Sequence, residues 1–493
     1  ALAQGSARVL RYVPSSDLFT LDFIWSSSAV AFTASLMVYD TLYGLDAGLN
    51  AKPQMVAGHE LSDDKLRWTF TLREGLAPFS TGEKVTATDC VASIARWAQR
   101  RPIGQRFTPV LEEMRALDDR RFEIRLKRPF PQLLRGLAEP WVMPERIAKI
   151  RAFTEVKEVI GSGPYQFLRD EWVSGAKAAF RRNEAYVPRE EPPAYLSGGK
   201  RVLLERVEWT TMPDGASAAA ALQRGEIDYM ERPLFDLMPR LRRSSGIVLR
   251  KTDALGWSAY LHFNNAAPPF DNPALRRAVM AALDQAEFMQ AAVGDAALYT
   301  TNVGIFTPGG PFETKAGMET LPPRDLAALR RAVSESGYKG EKIVLMIPTD
   351  TPHLNAMGLV AQQAMEKLGL TVETQFMDLG TLFGRWRGRS GTEQNSWSCF
   401  PLTWQGMNTA TPASHVPILG QAPDPEMVRR VEAWFQAPDV GTERSTADAI
   451  QRRYYEAPPF GIMGGYVWPV AFRSSVQDAQ DAPFTVFWGV RKA

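Results

Sequence analysis

Two cysteines, Cys90 and Cys399, are all that 493 residues contain. So few, so far apart, exclude a disulfide framework, and a chain of this size can be held by its core without one. Two free, buried thiols are expected. Histidine is as scarce: His59, His262, His353 and His415 are scattered, and no Cys/His grouping has metal-ligand spacing, so no metal site is expected. His59-Glu60 opens like a zincin helix, but Asp63 stands where the second histidine must return. No apolar run approaches the ~20 residues that cross a bilayer; the stretch from Ala29 to Val38 is broken by Thr33 and Ser35. Charge of one sign is also missing. The 57 Lys plus Arg nearly balance the 55 Asp plus Glu, for a net charge of +2, which leaves no electrostatic footprint for nucleic acid. The cluster Arg240, Arg242, Arg243 reads as a solvated helix end.

Common catalytic signatures are absent too. Gly161-Ser162-Gly163 resembles the opening of a dinucleotide fingerprint, but Pro164 and Gln166 follow where a helix start and a third glycine are needed; it reads as a turn. No phosphate loop ending in Gly-Lys-Ser/Thr and no Gly-x-Ser-x-Gly elbow occurs. What is present is ordinary globular composition, 45% hydrophobic and 23% charged, in a chain long enough for two or three lobes. Ala1-Leu2-Ala3-Gln4 reads as the trimmed end of a secretory signal, so export is expected.

Patterning locates several elements. Leu66 to Leu72 alternates in the manner of a half-buried strand. Thr86 to Asp89 spells a capping box, and Val91, Ile94 and Ala98 follow at helical spacing, which puts Cys90 in core packing. Asn272-Pro273 starts a helix that carries Leu275, Val279 and Leu283 on one face. A β-rich run from Lys342 to Ile347, a helix from Leu354 to Leu368 stopped by Gly369, and an extended run from Leu370 to Phe376 compose a βαβ unit. Met427 to Phe435 and Thr446 to Tyr455 are amphipathic helices that precede a Gly- and aromatic-rich tail.

The ordered landmarks resemble the family 5 extracellular solute-binding proteins, the peptide and nickel receptors of ABC importers. They are Tyr39-Asp40-Thr41-Leu42-Tyr43, Pro53, the block from Trp68 to Gly75 with Pro78-Phe79 and Thr86 to Asp89, and then Gly161 to Tyr165. Arg182-Asn183 with Tyr186, Gly225 to Asp228, His262 to Asn265, Pro268-Pro269-Phe270 and Leu275 to Val279 through Asp284 complete the series. Read on their own, these motifs are structural: they pack, cap and turn. The resemblance implies an α/β, type II periplasmic-binding-protein fold with two main lobes joined by hinge strands and a smaller extra lobe. Lobe I is expected at 1–43, 163–260 and 464–493, the extra lobe at 44–162, and the second ligand-binding lobe at 261–463.

By the same resemblance the ligand meets Trp25, Ser27, Ser28 and Ala29 before the first helix, Tyr260 at the hinge, and Trp397, Trp404, Gln405, Met407 and Asn408 in the second main lobe. Aromatics, small polar groups and a thioether suit a roomy site. Peptide receptors of this family often place an aspartate in that last region to pair with the ligand's α-amino group, yet Asn395 to Pro423 holds no Asp or Glu. A neutral, acidic, N-blocked or opine-like solute is therefore expected, captured by hinge closure and passed to an inner-membrane ABC permease by a periplasmic, monomeric, non-enzymatic receptor without cofactor. The competing readings are a secreted hydrolase of peptides or glycosides, which needs paired carboxylates or an activated nucleophile in the cleft, and a receptor for a nickel chelate, which four scattered histidines serve poorly.

Overall fold

The computed structural model describes residues 8–139, 141–322, 324–387 and 397–493; Ala1 to Gln4 and Asn395 lie outside them. The chain divides into two compact units, Ala1–Ala254 with Pro469–Ala493, and Leu255–Trp468. The first is discontinuous in sequence and the second is a single stretch.

The first unit is built on a seven-stranded sheet in the order Ile247–Arg250, Val470–Arg473, Tyr229–Met230, Val9–Val13, Arg206–Thr210, Lys177–Arg182, Tyr165–Phe167. Val9–Val13 runs parallel to both of its neighbours. One face packs Val13, Met230 and Ala471 against Ala218, Leu222 and Leu241. Side chains alternate along a strand, so Tyr12 faces the other way, its ring 5.0 Å from Trp209 and 5.1 Å from Phe487. Helix Gly215–Arg224 starts where the Asp214 carboxylate accepts from the Ser217 amide at 2.8 Å, and stops at Gly225 in the left-handed region.

Helix Ala29–Val38 is buried from Val30 to Val38, which fits its lack of a polar stripe. Its interior Ser35 hydroxyl is satisfied by donation to the Leu21 carbonyl at 2.9 Å. The Gly161 to Gly163 segment lies against its last turn: Gly163 N donates to the Val38 carbonyl at 2.9 Å, and a Cβ on Gly161 would stand 2.1 Å from the same oxygen. These glycines serve close backbone approach rather than phosphate binding.

A separate antiparallel sheet joins Val56–Leu61, Arg67–Leu72, Arg121–Leu126 and Leu111–Ala116 in that order. Trp68, Phe70 and Leu72 are buried at alternate positions, as the period of two requires. The next helix, Ala87–Ala98, has the Thr86/Asp89 capping box: Asp89 accepts from the Thr86 amide and hydroxyl, each at 2.8 Å. Cys90 is buried in it, and both cysteines are free thiols.

The second unit holds a six-stranded sheet in the order Tyr299–Thr300, Phe460–Tyr466, Trp257–Phe263, Cys399–Gln405, Ile343–Pro348, Val372–Met377. The boundaries expected after Tyr260 and before Gly464 fall inside two of these strands. Ile343–Pro348 and Val372–Met377 pair in parallel, and helix Pro352–Lys367 connects them. Gly358 lets that helix sit on the sheet, since a Cβ there would meet Ile347 at 2.7 Å. Helix Pro273–Ala282 is capped by Asn272, which accepts from the Ala274 amide at 3.0 Å.

Candidate functional site

In the first unit, Trp25, Ser28 and Ala29 are half-buried and Ser27 is exposed, so the four expected residues form one short accessible stretch. A buried carboxylate sets its course. Asp22 accepts from the Trp25 amide at 3.1 Å through Oδ1, and from Arg96 Nη2 at 2.7 Å and the Val156 amide at 2.9 Å through Oδ2. Asp22 and Arg96 are almost wholly buried. Breaking such a pair leaves an uncompensated charge, so the Trp25 turn is firmly held.

In the second unit the expected residues separate into two groups. Trp404, Met407 and Asn408 are half-buried at the carboxyl end of strand Cys399–Gln405 and just beyond it. Gln405 is buried but adjoins them. The turn that carries Met407 and Asn408 rests on a buried hydroxyl triad: Ser258 Oγ lies 3.2 Å from Thr307 Oγ1 and 3.1 Å from Thr409 Oγ1, and Thr307 also donates to the Gly406 carbonyl at 3.1 Å. Trp397 lies apart from this group, and Tyr260 lies behind it, its ring 6.3 Å from that of His262. Trp397 precedes the same strand, roughly 26 Å from its far end at the usual rise, and is buried with its ring edge-on to Phe400 at 5.1 Å. Tyr260 has no exposed surface; it stacks on Phe460 at 4.2 Å and its hydroxyl donates to the Ile305 carbonyl at 2.8 Å. Both are packed into the core of the second unit.

His262 sets the orientation of Trp404. The indole Nε1–H donates to His262 Nε2 at 2.9 Å, so that nitrogen is unprotonated. Phe400 stacks on the imidazole at 5.1 Å, and Trp386 packs 5.8 Å away. Burial, with His415 adding to it, pushes the His262 pKa down to about 3. Burial likewise pushes His415 down to about 4, against the opposing hydrogen bond from Nε2 to the Ile305 carbonyl at 2.9 Å. The Trp404 surface is thus backed by neutral rings.

Residues 50–421 match the family described as bacterial extracellular solute-binding proteins, family 5. The chain belongs to that family. Among similar proteins, the probable peptide ABC transporter periplasmic-binding protein y4tO of Sinorhizobium fredii is 30% identical over 97% of this chain and 92% of its own. The glutathione-binding protein GsiB of Escherichia coli K12 is 23% identical over 79% and 73%. Among solved structures, a dipeptide-binding protein from Pseudoalteromonas sp. SM9913 in complex with Met-Leu superposes with a TM-score of 0.82 at 18% identity, covering 98% of this chain and all of that one (100%). The A. tumefaciens R10 protein AgaA in complex with agropinic acid gives 0.80 at 17%, covering 98% and 99%. The fold of this family 5 protein is that of the type II periplasmic binding proteins.

A recess of about 500 Å³ in the second unit belongs to neither group of expected residues. Met280, Leu283, Gln285, Asn302 and Arg324 are among those that line it, and the Asp284–Arg324 ion pair at 3.1 Å crosses its edge. That ion pair lies within the recess lining, and the Trp404 group is not part of it. Sequence reasoning missed the supports of this family 5 surface: His262, Trp386, and the Ser258, Thr307 and Thr409 triad. Only the alternation of Ser258, Tyr260 and His262 along one strand, which puts them on a common face, was available to find them.

Proposed function

We propose that this family 5 protein is the periplasmic receptor of an ABC importer for a peptide-like solute, a class that includes short peptides and their N-blocked and opine-like derivatives. The observation that carries the reading is the 30% identity, over almost the entire chain, to a relative named as a peptide ABC transporter periplasmic-binding protein. The protein acts as a monomer in three lobes, 1–43 with 163–260 and 464–493, 44–162, and 261–463. It captures its ligand by closure of the two main lobes and delivers it to an inner-membrane permease. In support, the four-stranded antiparallel sheet lies wholly within 44–162.

The surface around Trp404 bears on ligand chemistry. No Asp or Glu lies between Asn395 and Pro423, and His262 behind the indole is neutral because of burial and His415. That stretch supplies nothing to neutralise an ammonium, so the ligand meets the Trp404 surface with an uncharged face. A nickel chelate is the weaker reading: His262 Nε2 is already hydrogen-bonded, and no group of three or more metal-ligating side chains occurs among the described residues. Thermal-shift titration with dipeptide pools tests the proposal. Expected is saturable stabilisation of roughly 2.7 kcal/mol near a hundredfold excess over Kd, with the peptide recovered intact. Stabilisation by no pool, or steady conversion of peptide to product, would sink it.

A further inference from the structure

Four carboxylates buried in the first unit are each matched by a cation, Glu123 by Arg115 at 3.4 Å and three others more closely. Asp22 has Arg96 at 2.7 Å, Asp40 has Lys200 at 2.7 Å, and Asp228 has Arg11 at 2.8 Å and Lys492 at 2.9 Å. Asp89, also buried, caps a helix and so faces its positive end. Glu231 is different. Only 6% of it is exposed, it begins no helix, and no ion pair reaches it among the described residues.

Its partners are neutral: Oε2 accepts from the Ser15 amide at 2.8 Å and Oε1 from the Thr485 hydroxyl at 3.3 Å. A second polar group beside it is unsatisfied. Tyr12 is wholly buried, and its hydroxyl has no hydrogen-bond partner among the described residues. Burial first, and the Glu231 charge next, raise the pKa of that hydroxyl. Glu231 also directly follows strand Tyr229–Met230, whose parallel neighbour Val9–Val13 ends level with it at Val13. Open α/β sheets take their ligands at the carboxyl ends of parallel strands.

We propose that Glu231 is the countercharge for an ammonium group of the transported solute, with the Tyr12 and Thr485 hydroxyls beside it. The inference rests on the peptide-like reading above and assigns to the first unit the charge recognition that the 395–423 region lacks. A carboxylate buried without a cation is costly, and a ligand ammonium removes that cost only when bound.

The test uses the full chain and two probes, a dipeptide pool with free amino termini and the same pool N-acetylated, followed by thermal-shift titration. The wild type is expected to half-saturate with the free pool at a concentration about thirtyfold or more below the acetylated pool, and Glu231→Gln to treat both pools alike. Glu231→Asp, which keeps the charge, retains the preference at reduced affinity. If Gln at this position prevents folding, the Asp variant and a des-amino dipeptide pool on the wild type read the same preference. Equal binding of free and acetylated pools by the wild type, or an unchanged preference in Glu231→Gln, overturns this inference and leaves the peptide receptor standing. Failure of every pool to stabilise the wild type removes both.

Discussion

His262 carries two expectations at the residue scale. Replacing it with Phe keeps a ring in the stack but removes the acceptor of the Trp404 indole. We expect tryptophan emission to shift and the affinity for a stabilising peptide pool to fall about tenfold, as for loss of one buried hydrogen bond; unchanged affinity would place Trp404 away from the ligand. The second expectation is acid sensitivity. Burial depresses His262 to about 3 and His415 to about 4, below the ordinary value of about 6.5 in the unfolded chain. The unfolded state therefore binds more protons below that pH, and the stability tied to the neutral rings is full above about 6.5 and lost as the pH falls toward 4 and 3. Melting temperatures between pH 7 and 4.5 should fall less steeply in His262→Phe and His415→Phe. Residue identity alone could not sort the aromatics of this region. Tyr260, Trp397 and Trp404 look alike in sequence, and only the neighbours brought by other strands decide that two are spent in the core and one keeps an accessible face. Glu231 was invisible for the same reason, since a carboxylate's lack of a cation is a property of the fold.

Elements were more legible, because their signals are local. The run from Lys342 to Phe376 announced a βαβ unit through periodicity, and the strands at Ile343–Pro348 and Val372–Met377 pair in parallel around helix Pro352–Lys367. Asn272-Pro273 named a helix start that the structure has one residue after the cap. Asn272→Ala should cost about 1 kcal/mol of stability, the usual worth of such a cap, measurable by denaturant unfolding. The Gly161 to Gly163 turn was legible as a turn but its purpose was not, because the constraint comes from a helix that ends more than a hundred residues earlier in the chain. Gly161→Ala would drive a Cβ to 2.1 Å from the Val38 oxygen. We expect a loss of at least about 2 kcal/mol, in the upper range of overpacking effects, visible as a lowered urea midpoint.

At the scale of the whole molecule, the two units differ in how the chain builds them. Leu255–Trp468 is continuous, with its own six-stranded sheet and buried core, so a 255–468 fragment should unfold cooperatively by circular dichroism. The complementary fragment 1–254 lacks Val470–Arg473, which stands between Ile247–Arg250 and Tyr229–Met230, and should fail the same assay. The chain ends are also tied electrostatically, since Asp228 holds both Arg11 and Lys492. Asp228→Asn leaves two cations without their carboxylate and should cost about 3 kcal/mol or more. Discontinuity of this kind leaves no local mark, which is why lobe boundaries came from resemblance rather than from composition.

The place of strand Val470–Arg473 inside the first sheet also has a meaning in time. Synthesis delivers Val9–Val13 long before Val470–Arg473, so the sheet that holds both cannot close until the later strand has left the ribosome. The second unit, complete at Trp468, can settle first. Until Val470–Arg473 arrives, Tyr229–Met230 and Ile247–Arg250 have no strand between them, and the first sheet waits on a strand made long after the others.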